Sequence, residues 1–172
     1  MRLLPFAPET IRSVLEDLRP ADRRELAATL WDFDPAGLAE ASARAPLGFV
    51  AGDEAGRAVA VVGATPLWPG VWQVGLFATP RWPAVARAVQ LRVRRRLVPD
   101  LLRAGAHRAQ AFSDARHHEA HRWLRRLGAR CEGRLAAFGR AGEDFLLFAW
   151  TRDAFASERR DRPRPWPPPR PP

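Results

Sequence analysis

A chain of 172 residues, 47% of them hydrophobic, is long enough to bury one core without covalent staples, and its single cysteine excludes an internal disulfide. All 28 basic residues are arginine and the net charge is +9, a balance that favours anionic partners but is equally what GC-rich coding produces. No apolar run approaches the ~20 residues of a membrane span, and MRLLPFAPET lacks the apolar core of a secretory signal, so a cytoplasmic-type product with no membrane partner and no signal-peptide secretion is expected.

Residues 8 to 18, PETIRSVLEDL, place Ile11, Val14, Leu15 and Leu18 at helical spacing, and Arg19-Pro20 stops the pattern. A second helix opens on Pro20, with Asp22 at its positive end and Leu26, Ala27 and Leu30 as its apolar stripe. Residues 35 to 46 read as another short helix and a loop. LGFVAGDEAGRAVAVVGATPLW then forms a hairpin turning at Gly52 to Gly56, and VWQVGLFAT adds a third strand after Pro69-Gly70, which makes a small antiparallel meander.

The period changes in PRWPAVARAVQLRVRRRLVPDLLRAG. Val85, Val89, Val93, Leu97 and Leu101 stand four apart on the longest helix, with arginines on the remaining faces, a kink expected at Pro99 and a stop at Gly105. AHRAQAFS returns to strand. Ser113 or Asp114 is expected to cap the next helix, whose stripe is Ala120, Trp123, Leu124 and Leu127 and which ends at Gly128. CEGRLAAF and DFLLFAW close a domain of residues 1–152 as a hairpin around GRAGE. The remaining 153–172 form a Pro/Arg-rich extended tail of polyproline character, either a solubilising end or a docking strand for another protein.

His117 and His121 stand four apart, but HEAH lacks the spacing that sets two ligands and a base on one helix, and no cysteine pair matches them. No metal is expected there. The better reading is an ordinary helix whose histidines lie off the apolar stripe.

That helix carries a resemblance. EAHRWLRRLGARCEG resembles the last helix and following strand of the GNAT (acyl-CoA N-acyltransferase) superfamily, in which A-x-x-aromatic-x-x-x-L-G-aromatic-x-x-E-G leads into the final hairpin. Ala120, Trp123, Leu127, Gly128, Glu132 and Gly133 match, with Ala129 where an aromatic is usual. The element order from about residue 8 to 152 also looks like that fold, which implies an α+β architecture with a central, mostly antiparallel mixed sheet flanked by helices. LRPADRRELAA and GEDFLLFAW resemble more narrowly the GNAT-like proteins of tailed phages and prophages, some of which are internal virion proteins.

The resemblance implies a wedge beside the third strand where family members hold acetyl-CoA, with Phe77, Thr79, Arg81 and Arg87 as cofactor-side residues. The pyrophosphate there usually sits on a glycine-rich turn, whose bare backbone offers free N–H groups at a helix start. ATPRWPAVARAV has no glycine, and Pro80 and Pro83 each remove a donor, leaving Arg81 and Arg87 to supply guanidinium contacts. Many relatives protonate the departing thiolate with a tyrosine where this chain has Leu124, and the chain contains no tyrosine. A carboxylate on the third strand often deprotonates the amine, and here only Gln73 stands on that strand.

The remaining acid–base candidates are Ser113, His117, Asp114 and Cys131. Their duller alternatives are helix caps for Ser113 and Asp114, a surface position for His117 and a small core filler for Cys131. Trp68, Trp72 and Trp82 crowd the wedge, either as a cleft floor or as packing in a vacated cofactor slot.

Three functions compete. The first is a catalytically weak or inactive GNAT-like protein of phage or prophage type, in the host cytoplasm or in the virion, that meets other virion proteins through its basic surface and through Arg164, Trp166 and Arg170 of the tail. The second is an active acetyl-CoA-dependent N-acetyltransferase with an altered site. The third is a basic nucleic-acid-binding protein using the arginine helix, although Arg87, Arg92, Arg94, Arg95 and Arg96 spread around that helix without one clean face.

Overall fold

The computed structural model describes residues 1–152, so Arg164, Trp166 and Arg170 of the Pro/Arg segment lie outside the described residues. The chain runs β1 (Arg2–Leu4), α1 (Pro8–Glu16), α2 (Pro20–Ala28), α3 (Pro35–Ala43), β2 (Leu47–Gly52), β3 (Ala58–Trp68) and β4 (Val71–Ala78). A 3-10 turn at Trp82–Ala84 leads to α4 (Ala86–Arg92), a π turn at Val93–Leu97 and α5 (Val98–Arg103); then follow β5 (Arg108–Asp114), α6 (His118–Arg126), β6 (Arg130–Leu135) and β7 (Phe145–Thr151). The short β1 was not anticipated. It has too few residues to show an alternating pattern, and it is held by pairing with β2, Leu4 opposite Val50.

One seven-stranded sheet has the order β1-β2-β3-β4-β5-β7-β6. The expected meander is there as antiparallel β2-β3-β4, and the closing hairpin folds back so that β7 pairs with β5 and β6 takes the edge. Register sorts the side chains by face. Phe49 opposite Val62 and Ala51 opposite Ala60 look toward the larger core, while Val50 opposite Val61 looks toward Ile11, Val14 and Leu15 of α1. The α1 residues are fully buried, and each such side chain contributes about 1.5–3 kcal/mol by leaving water. The hairpin between β3 and β4 needs glycine at its tip, because Gly70 has a φ of +81° and a Cβ there would run into the His107 ring.

The long helical segment keeps the expected stripe, with Val85, Val89, Val93, Leu97 and Leu101 all buried. It is not a single α-helix kinked at Pro99. The departure falls just before that proline, at the π turn, where Val98 N–H bonds the Val93 carbonyl. Residues four apart drift by about 40° per step on a 3.6-residue helix, and a wider turn takes up part of that drift. Pro99, without an N–H, cannot serve the carbonyl of Arg95 four residues earlier. Gly105, with a φ of +81°, ends the segment as expected.

Candidate functional site

β4 and β5 are parallel and pair only at Val71–Arg108, Trp72–Ala109 and Gln73–Gln110. Beyond these rungs β4 stays with β3 and β5 stays with β7, so the two strands part into a wedge. A cleft of 410 Å³ opens there, lined by Gln73 to Phe77 of β4, Ala111 to Ser113 of β5, Trp82, Trp123 and the polar face of α2. Deeper in, an apolar cavity of 70 Å³ is bounded by Val74, Leu76, Val93, Leu97, Leu101 and Leu124 among others.

Two indoles close the mouth of the wedge. Trp82, from the loop after β4, meets Trp123, from the helix after β5, edge to face at 5.6 Å, and the Arg19 guanidinium lies 5.4 Å from the Trp82 ring centre. Trp82 is 4% exposed and belongs to the main core. The loop behind it has no backbone donor to spare. Thr79 N–H bonds the Val59 carbonyl, Arg81 N–H the Thr79 hydroxyl, Trp82 N–H the Thr79 carbonyl, Ala84 N–H the Arg81 carbonyl and Val85 N–H the Trp82 carbonyl, while Pro80 and Pro83 have none. From Thr79 to Val85 the loop thus offers a pyrophosphate no free amide, and donors of the glycine-turn kind would have to come from the first turn of α4.

The polar end of the cleft is built from α2 and the end of β5. Glu25 Oε2 accepts three hydrogen bonds, each of 2.9 Å, from Ser113 Oγ, from Asp114 N–H and from His117 Nδ1. His117 is 6% exposed; its Nε2 lies 3.6 Å from Asp22 Oδ1 and has no hydrogen-bond partner within the protein. Asp22 is 3% exposed, accepts from Ala78 N–H at 2.7 Å and accepts from Nε and Nη2 of Arg19, a bidentate contact along one edge of the guanidinium. Gln73 Oε1 and Trp123 Nε1, also on the cleft wall, are buried without a protein partner. Water or a bound polar molecule satisfies such atoms, so the cleft is wet at this end and oily at the other.

Electrostatics follow from burial and partners. Burial raises the Asp22 carboxyl above its ordinary value, opposed by Arg19, Ala78 N–H and His117. The hydrogen bonds from Arg116 lower Asp114, and burial lowers His121, whose Nε2 lies 3.0 Å from the Asp114 carbonyl and donates to it. Asp22 gives the clearest pH effect. With its folded-state value above the ordinary 3.8, the folded chain holds that proton more tightly than the unfolded chain. Its stabilising contribution is thus greatest below 3.8 and declines as pH rises through the folded value. Urea denaturation across that range is expected to show wild type losing ground to Asp22→Asn as pH rises; a pH-independent difference contradicts the assignment.

Ser113 and His117, singled out in sequence as acid–base candidates, are brought together on one carboxylate. Neither Ser113 nor Asp114 caps α6: the residue at its N-cap is His117, which makes no side-chain capping bond, while Asp114 accepts from Arg116 N–H. His117 and His121 are buried rather than on the surface, because the chain enters α6 turned toward α2 and β7. Cys131 is exposed on the edge strand β6 and fills no core. Among the described residues no group of three or more histidine, cysteine or acidic side chains could hold a metal ion, and no helix is long and apolar enough to cross a membrane.

The four residues expected on the cofactor side do not converge. Phe77 packs on the α1 and α3 side of the sheet, Thr79 is fully buried, Arg81 pairs with Asp17 at 2.9 Å, and Arg87 is exposed on α4. Arg19, Asp22 and Glu25 were missed as site residues. The spacing of Asp22 and Glu25 puts them on one helix face, which is legible, but the partner of Glu25 lies 92 positions away.

No family model matches the sequence, and no curated protein matches it. Solved structures do. A GNAT superfamily phosphinothricin acetyltransferase from Sinorhizobium meliloti, in complex with AcCoA, superposes with a TM-score of 0.68 at 18% identity, covering 87% of each chain. A ribosomal-protein-S5-alanine acetyltransferase from Vibrio fischeri gives 0.60 at 18% identity over 88% of this chain and 92% of its own. A GNAT-family acetyltransferase from Bacillus anthracis gives 0.61 at 14%, over 88% and 94%. At such identities the likeness speaks for architecture alone. This chain has the GNAT acetyltransferase fold, a mixed, mostly antiparallel seven-stranded sheet flanked by helices.

Proposed function

We propose that this chain is a GNAT-fold interaction protein of phage or prophage type, catalytically weak or inactive in acetyl transfer, and that it takes its place among virion components through its basic surface and the Pro/Arg segment bearing Arg164, Trp166 and Arg170. The Trp82–Trp123 contact across the wedge carries this reading, since the indoles stand where the fold's cofactor would pass and the loop behind them keeps its amides for itself. Leu124 in place of a proton-donating tyrosine points the same way. Thermal denaturation with about 1 mM acetyl-CoA is expected to show no shift, whereas a ligand bound at 100 times its Kd stabilises by about 2.7 kcal/mol. Mass spectrometry of purified particles is expected to recover the chain at constant stoichiometry. Saturable stabilisation that disappears in Arg81→Ala with Arg87→Ala, together with absence from particles, overturns the proposal.

A second reading, an acetyl-CoA-dependent N-acetyltransferase with an altered site, is favoured by one observation. Glu25, half-buried, and His117, buried, form a hydrogen-bonded pair on the wall of the 410 Å³ cleft, the kind of pair that takes a proton from an amine. The same thermal measurement separates the two readings.

A further inference from the structure

The helical layers differ in sign. Residues 8–43, from α1 to α3, hold eight carboxylates and four arginines, whereas 86–103 and 118–126 together hold nine arginines and two carboxylates. The basic elements lie side by side. Val93, Leu97 and Leu101 share an apolar cavity with Trp123, Leu124 and Leu127, and the Arg94 guanidinium donates to the Arg126 carbonyl at the end of α6. With both apolar stripes turned to the sheet, the outer faces of the two helical segments adjoin.

On that joint face Arg87, Arg95, Arg96, Arg122, Arg125 and Arg126 are exposed. Among the described residues none of these six is in an ion pair, unlike Arg12, Arg19 and Arg81 elsewhere. The two carboxylates of the layer are engaged, Asp100 by Arg103 and Glu119 by Arg19 of α2. Arg94, Arg95 and Arg96 follow one another along the π turn, and all three are exposed. Across the Arg94–Arg126 contact α6 adds Arg122, Arg126 and Arg125, the last with its guanidinium 5.5 Å from the Phe148 ring centre.

We propose that this two-helix face binds the phosphate backbone of nucleic acid without reading its sequence. The face is long. Residues 86–103 extend for about 27 Å at 1.5 Å per residue, a length over which a DNA duplex presents about 16 phosphate charges. Guanidinium groups suit phosphate oxygens, and Leu91 is the one large hydrophobic exposed on these described helices, so no aromatic platform for bases is offered. A second copy of the chain is the weaker occupant, because two molecules of +9 repel. The proposal does not depend on the virion reading or on acetyl-CoA.

Fluorescence anisotropy of the full chain with a labelled 30-base-pair duplex of arbitrary sequence tests it. Binding is expected to weaken steeply with salt, with a log–log slope near −5 if about six phosphates are neutralised. Arg95→Glu with Arg96→Glu, and separately Arg122→Glu with Arg126→Glu, are each expected to weaken binding by about tenfold or more, with a second arbitrary sequence affected equally. Arg12→Glu with Arg44→Glu, the same change in net charge on the acidic side, is expected to stay within about twofold. Melting curves matched to wild type keep the comparison free of unfolding. Equal losses in all three variants, no loss in the helix-face variants, absence of salt-dependent binding, or self-association in place of DNA binding each overturns the proposal.

Discussion

Replacing Trp82 by alanine is expected to lower the unfolding free energy by about 3–5 kcal/mol, the range for removing a buried aromatic from a core. Trp82 is 4% exposed, touches Trp123 edge to face and carries the Arg19 guanidinium on its ring, so the deletion removes burial and two specific contacts together. The loop cannot slide into the gap, because Thr79 is tied to Val59 and the turns at Arg81 and Trp82 are closed by their own hydrogen bonds. At about 2–4 °C per kcal/mol the melting temperature is expected to fall by roughly 10 °C, and urea denaturation gives the free energy directly. Trp82→Phe, which keeps a ring in the gap, is expected to lose less than half as much. A loss below about 1 kcal/mol for the alanine variant contradicts a packed wedge mouth.

Glu25→Ala is expected to cost about 2–4 kcal/mol, although Glu25 is itself only half-hidden. One oxygen of this side chain serves Ser113 Oγ, Asp114 N–H and His117 Nδ1, all on residues that are buried. Hydrogen bonds to a charged acceptor are worth about 1.5–3 kcal/mol each, and donors stranded away from water add a desolvation cost. The three are not additive, since they share a single acceptor. Glu25→Gln keeps an oxygen in place and is expected to lose about half as much. A double-mutant cycle between Glu25→Ala and His117→Ala is expected to return a coupling of at least about 1 kcal/mol; additive effects sink the idea that the two side chains act as one unit.

Much of the architecture was legible because its elements announce themselves locally. The stripe of α1, the meander of β2 to β4 and the turn glycines Gly70 and Gly105 each follow from spacing or backbone freedom within a short window. What escaped was set by distant contacts. β1 is a strand only because β2 offers it an edge, and the π turn falls where a four-residue apolar stripe meets Pro99. The site divides in the same way. Ser113 and His117 stood out by type and position, but the carboxylate that joins them comes from a helix read as an ordinary amphipathic element. The histidines were expected outside because α6 was considered alone; in the folded chain His121 packs 5.2 Å from the Phe148 ring of β7 and donates to the Asp114 carbonyl.

Among the described residues few backbone bonds join β1 to β4 with β5, β7 and β6: the three rungs of β4 and β5, His107 and Arg108 N–H on the Gly70 carbonyl, and Arg140 N–H on the Ala28 carbonyl of α2. Side chains bridge the gap that the strands leave: indole against indole on one side, a carboxylate bonded to serine and histidine on the other, and beneath them a core running from Val62 and Ala78 to Ala111 and Phe148. Cohesion across the middle of this molecule thus rests on packed side chains as well as on the ladder of strands.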